Sequence, residues 1–173
     1  MLKPGRRLAA ALLLSASAAL LRAAEPPVLH VPGAADRTIT AASLVGHGRM
    51  DVRVETGDGD AVVYHGLPLL EVIESAGLDT RTMAGQRKTA PAIVVATSRD
   101  GYMVAFSMGE LLMHRSDPRV FLVSETASGP LPENEGPVRL MVLGDRARSS
   151  YGLRGVELRY IGQNPGAAPK PKR

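Results

Sequence analysis

Apolar and polar residues alternate strictly through Met50-Asp51-Val52-Arg53-Val54-Glu55, so that Met50, Val52 and Val54 share one face and charges the other. That is the pattern of a half-buried strand. Gly57-Asp58-Gly59-Asp60 is turn chemistry, and Ala61 to Tyr64 returns as a second strand, which predicts a hairpin. The period changes at Leu67. Leu69, Val72, Ile73 and Ala76 recur at helical spacing, Pro68 suits a first turn and Gly77 a C-terminal stop. Asp79 to Lys88 has no apolar period and reads as an exposed loop. Ile93 to Ala96 and Met103 to Phe106 are strands flanking Arg99-Asp100-Gly101, a tight reversal. Ser107 and Glu110 form a capping box ahead of Leu111, Leu112 and Met113, which predicts a short helix. Arg119 to Ser124 and Val138 to Leu143 are further strands joined by a Pro/Gly-rich segment, Leu153 to Ile161 is the last, and Val28 to Val31 is a short entry strand. The expected fold is α+β: a mixed, mostly antiparallel sheet of about seven short strands with two to three short helices.

The ends of the chain follow other patterns. Met1 to Arg7 is a basic head, and Leu8 to Leu21 is an Ala/Leu run interrupted only by Ser15 and Ser17. The run is shorter than the roughly 20 residues that span a bilayer, so residues 1–24 read as a signal peptide. Ala16-Ser17-Ala18 satisfies the small-x-small rule for cleavage, whereas a cut after Ala24 would leave Arg22 three residues before it. Arg6-Arg7 also fits a twin-arginine signal, so both export routes stay open. The expectation is a periplasmic or secreted protein without a membrane span in its mature form. After the Glu25-Pro26-Pro27 spacer, residues 25–163 form a single domain, and residues 164–173, rich in Pro, Ala and Lys, read as a disordered basic tail.

The formal charge of +4 changes meaning once the ends are set aside. Seven of the 21 Lys and Arg lie in residues 1–24 and 164–173, which contain no acid; the body between them sets fourteen against 17 Asp and Glu. A nucleic-acid partner needs basic charge on the folded surface, which this body lacks. Aromatics are scarce, with four Tyr, two Phe and no Trp, so the core is aliphatic and stacking platforms are few. No cysteine is present, and a chain of this size builds a core without disulfides.

Candidate chemistry is correspondingly limited. There is no Gly-x-Ser-x-Gly elbow for a serine nucleophile. His30, His47, His65 and His114 are singletons, so no metal site is assigned; a meeting of His47 and His65 across strands near Asp58 or Asp60 is outweighed by their reading as polar surface positions. Gly144-Asp145-Arg146-Ala147-Arg148-Ser149-Ser150 offers two guanidiniums and two hydroxyls after a buried strand, which suits an anion as well as it suits a solvated turn. Arg139 faces opposite Val138 and Leu140, on a pocket wall or on a solvated face. If Val138 to Leu143 and Leu153 to Ile161 pair as a hairpin, Arg139, Arg148 and Ser150 line a shallow pocket for a phosphate-bearing or similar anion.

Gly66-Leu67-Pro68-Leu69, Asp100-Gly101-Tyr102, Ser107-Met108-Gly109-Glu110-Leu111 and Gly129-Pro130-Leu131-Pro132 leading to Gly136-Pro137-Val138-Arg139-Leu140 occur in an order and spacing that resembles the oxidoreductase molybdopterin-binding domain family, the sulfite-oxidase type. The resemblance runs from about Thr38 to Ile161. It implies an α+β domain that binds molybdopterin, with Asn134 and Arg139 at the positions of pterin contacts and Arg148, Ser150 and Gly152 in the segment that binds the pterin phosphate. The family's Lys-Trp or Arg-Trp pair is replaced by Tyr151-Gly152. Its molybdenum-ligating cysteine is missing, and neither Glu55 nor Thr56 supplies a soft thiolate. Two functions follow from the resemblance. One is an exported domain that binds an anionic small molecule or an envelope protein partner, without cofactor or molybdenum redox chemistry; the other is a periplasmic oxidoreductase holding molybdopterin through pterin contacts alone, with Asn134, Arg139, Arg148 and Ser150 as the cofactor-binding residues.

Overall fold

The structure, a computed structural model, describes residues 25–45, 48–55 and 59–161. The expected signal peptide and basic tail, His47, and Gly57 and Asp58 of the predicted turn lie outside the described residues. The alternating stretch forms β3 (Met50–Glu55), paired antiparallel with β4 (Ala61–Pro68) from Met50↔Gly66 to Glu55↔Ala61. Strand β4 passes directly into helix α2 (Leu69–Ser75): Leu67 and Pro68, expected in the helix, are the last residues of the strand, and Pro68 at φ −53° and ψ 135° occupies the N-cap position. Leu69, Val72, Ile73 and Ala76 are buried and Gly77 at φ +93° stops the turn, as the spacing predicts, and Leu70 is buried as well.

The remaining elements are β1 (Val28–His30), β2 (Arg37–Thr38), α1 (Ala41–Val45), α3 (Met83–Thr89), β5 (Ala92–Ser98), β6 (Met103–Ser107), α4 (Met108–Met113), β7 (Val120–Thr126), β8 (Gly129–Pro130), β9 (Arg139–Val142) and β10 (Leu153–Tyr160). They complete an α+β fold with two five-stranded sheets. One runs β2-β1-β10-β5-β6, with β1 and β10 its parallel pair; the other runs β3-β4-β7-β8, with β9 also on β7. The main core lies where the sheets and helices meet and includes Leu29, Val94 and Val156 of the first sheet, Leu67, Leu122 and Leu140 of the second, and Ile73, Phe106 and Met108. A smaller cluster of Val52, Phe121, Val123, Leu131 and Met141 covers the other face of the second sheet.

Among the described residues four helices stand in place of the expected two to three, and the segment Asp79 to Lys88 is not a loop throughout. It contains α3, which sequence periodicity misses because caps, not an apolar stripe, define it. The Asp79 carboxylate accepts from the backbone N–H groups of Arg81 and Thr82 at 3.1 Å each, and Thr82 Oγ1 accepts from Gly85 N–H at 3.0 Å. Only Gly85 and Thr89 of this helix are buried. Helix α1 is likewise started by a reciprocal pair between Thr40 and Ser43. The expected capping box at α4 is half formed: Ser107 Oγ accepts from Glu110 N–H at 2.9 Å, while the Glu110 carboxylate turns to Arg148.

The expected hairpin between Val138 to Leu143 and Leu153 to Ile161 does not form. Strand β9 belongs to the second sheet and β10 to the first; among the described residues the two segments meet through a bond from Leu153 N–H to Val138 C=O, with a bridge from Leu140 to Ser150 just before β10.

The β4–β7 ladder shifts register between His65 and Gly66. A Cβ at Gly66 would lie 2.1 Å from the Leu122 carbonyl oxygen, so the strands can approach only with glycine there. Gly66→Ala is expected to destabilise the fold by about 1–3 kcal/mol, the range for overpacking a tight interior. A urea midpoint equal to that of the parent would show that the strands part at no cost.

Candidate functional site

The strand phase separates the predicted site residues. On β7, Val120 and Leu122 enter the main core and Phe121 and Val123 the smaller cluster; on β9, Leu140 and Val142 match the former and Met141 the latter. Arg139 alternates with Leu140 and so emerges on the face of the smaller cluster. There its Nη1 donates to Glu135 Oε2 at 2.9 Å and Tyr64 Oη at 3.0 Å, and the Tyr151 ring covers it with its centroid 4.2 Å from the guanidinium carbon. The side chain is 13% exposed. Its Nε is buried without a partner among the described residues, as are Ser150 Oγ and Ser98 Oγ. Asn134 is exposed on the approach to β9.

Arg148 lies elsewhere. In the turn after β9 its Nε donates to Asp145 Oδ2 at 2.7 Å and its Nη1 to Glu110 Oε1 at 2.8 Å, and it stands over Phe106, a main-core residue. The hydrogen bonds it donates to Glu110 and then Asp145 strengthen its hold on its proton, and they lower the Asp145 pKa in return. Arg139 and Arg148 therefore share no partner and open on different sides of the second sheet. Arg146 is exposed.

Arg148 instead borders a cleft of about 410 Å³ formed where α2, α4 and the start of β7 meet the end of β9. Arg81, Arg115 and Arg119 line it too, with His114 and the carboxylates Glu71 and Glu110; Leu70, Leu111, Val120 and Val142 form an apolar floor. The arginines are tethered from behind. Arg119 pairs with Asp117 at 2.8 Å, while Arg115 and Arg81 pair with Glu74 at 2.6 and 3.1 Å. Arg115 also donates to the backbone and side-chain oxygens of Thr80. Burial opposes the charged form of Glu74, whose side chain is 9% exposed, but hydrogen bonds from Thr80 and Arg115, the Arg115 charge and a further bond from Arg81 outweigh it and lower its pKa.

Of the four arginines the sequence singles out only Arg148, and for a pocket shared with Arg139 and Ser150, because residues 81, 115, 119 and 148 form no local motif. The only nearby signal is the polar run from His114 to Arg119 after the capped helix.

Molybdopterin requires its contacts to converge, and these do not. Arg139 is occupied by Glu135, Tyr64 and Tyr151, Arg148 opens on the other side, Asn134 stands apart, and the chain has no cysteine thiolate. The residues do not fit the group. Among the described residues no three metal-ligating side chains cluster, and His65 pairs with Asp51 at 2.8 Å. No protein-family model matches the chain, and no characterised protein matches it either.

The Glu74 network yields a pH prediction. A depressed folded pKa contributes stability that is present above the unfolded value, about 4.3 for Glu, and is lost as pH falls through the folded one. Glu74→Gln should lower the denaturation midpoint at pH 7 and narrow its gap to the parent on acidification below about pH 4. A gap that stays constant with pH would mean that the carboxylate charge contributes nothing.

Proposed function

We propose that the chain is an exported binding protein, of molybdopterin-domain type in its fold, that holds an anionic small molecule in the arginine-rimmed cleft and performs no molybdenum redox chemistry. The observation that supports this most is the arrangement of donors. Each of the four arginines is fixed by a carboxylate, yet among the described residues Nη2 of Arg148, Nη1 of Arg119 and Nη1 of Arg81 have no protein acceptor. Fixed guanidiniums lose little freedom when an anion arrives, and a well-placed charge-assisted contact contributes about 1.5–3 kcal/mol before solvent screening. The cleft volume lies within the range of small-molecule sites, roughly 300–1,000 Å³, and its concavity favours a small ligand over a protein surface. No Phe, Tyr or Trp lines it, and His114 is its one aromatic ring, which gives a nucleobase little to stack on.

Calorimetric titration of the mature protein with inorganic phosphate and pyrophosphate at low salt tests the reading. The Arg119→Ala, Arg148→Ala double variant is expected to weaken binding at least tenfold, about 1.4 kcal/mol, whereas Arg139→Ala leaves the affinity unchanged. Protein isolated from its native compartment should carry far less than one molybdenum per chain. No anion binding, or loss confined to Arg139→Ala, would overturn the site; about one molybdenum per chain would overturn the non-redox assignment.

A further inference from the structure

One carboxylate in the cleft differs from the rest. Glu110 is ion-paired with Arg148, and Glu74, Asp117 and Asp145, which do not line the cleft, pair with its arginines from outside it. Glu71, in the first turn of α2, lines the same cleft as the four arginines but has no hydrogen-bond or ion-pair partner among the described residues. A purely anionic ligand seated on the guanidiniums would be repelled by this carboxylate. A ligand with a cationic group at its other end would convert that repulsion into an attraction, and the carboxylate would then select against the plain anion.

We infer that the cleft takes a zwitterion: a phosphate or carboxylate head on Arg81, Arg119 and Arg148, an aliphatic span over Leu70, Leu111 and Val142, and an amine at Glu71. This rests on the anion-binding reading above and adds the ligand class. The apolar floor without aromatic residues suits methylene groups better than a planar ring. The same chemistry occurs in soluble aminoalkyl phosphates and in aminophospholipid headgroups.

The test compares aminoalkyl phosphates, from ethyl to hexyl, with alkyl and hydroxyalkyl phosphates of equal length, by calorimetry on the parent and on Glu71→Gln. At the best-fitting length the aminoalkyl compound should bind the parent at least tenfold more tightly than either analogue. Glu71→Gln should abolish that preference while keeping or improving alkyl phosphate binding. Equal affinity for all three compounds, or a preference that survives Glu71→Gln, would overturn the zwitterion assignment and leave the anion site standing. Failure of every compound to bind would remove both. Co-sedimentation with phosphatidylethanolamine but not phosphatidylglycerol vesicles, abolished in Glu71→Gln, would support a lipid headgroup as the source. Preference for the free amine without vesicle binding would support a soluble ligand.

Discussion

The two sheets are stitched together by a short set of backbone hydrogen bonds between residues 135–140 and 150–153. Gly152 N–H donates to Glu135 C=O at 2.7 Å, Leu153 N–H to Val138 C=O at 3.0 Å, and Leu140 and Ser150 exchange bonds at 3.1 and 2.9 Å. Arg99 N–H adds a bond to Gly152 C=O at 2.9 Å, joining the end of β5 to the same point. The segments close this far because two glycines meet there: a Cβ at Gly136 would lie 2.8 Å from the Gly152 Cα and 2.2 Å from Arg99 Nη2. Both glycines also have positive φ, which a side chain would strain. This clasp passes the chain from β9 in one sheet to β10 in the other.

The clasp also sets the phase of β9, and from that phase the distribution of charge follows. With Leu140 and Val142 in the main core, Arg139 must emerge on the opposite face, where it is fixed by Glu135 and covered by Tyr151. The turn after Val142 brings Arg148 back toward α4 and Glu110. Two arginines nine positions apart thus serve different parts of the molecule, one closing the outer face of a sheet and the other rimming a cleft. Of the other three arginines, Arg119 is held by Asp117, while Glu74 collects Arg115 and Arg81 together with Thr80.

Sequence pattern carried the fold where apolar periodicity was strong. The β3–β4 hairpin, α2 with its Gly77 stop, and the β5–β6 reversal at Gly101 occur where alternation and turn chemistry put them. It failed where structure is decided by polar local bonds or by long-range register. Helix α3 depends on Asp79 and Thr82, whose side chains replace the missing apolar stripe. The parting of β9 and β10 into separate sheets depends on pairings with β7, β1 and β5 that no local window contains. The cleft was legible only at Arg148, since Arg81, Arg115 and Arg119 come from the segments flanking α3 and α4 and meet only after packing.

Amide chemical-shift mapping during a phosphate titration tests most directly the separation of the two arginines and the assignment of the ligand to the cleft. Shifts are expected to concentrate on His114, Arg115, Arg119, Leu143 and Arg148, with Tyr64, Glu135, Arg139 and Tyr151 unmoved. Shifts centred on Arg139 and Tyr151, with the cleft residues silent, would contradict the account.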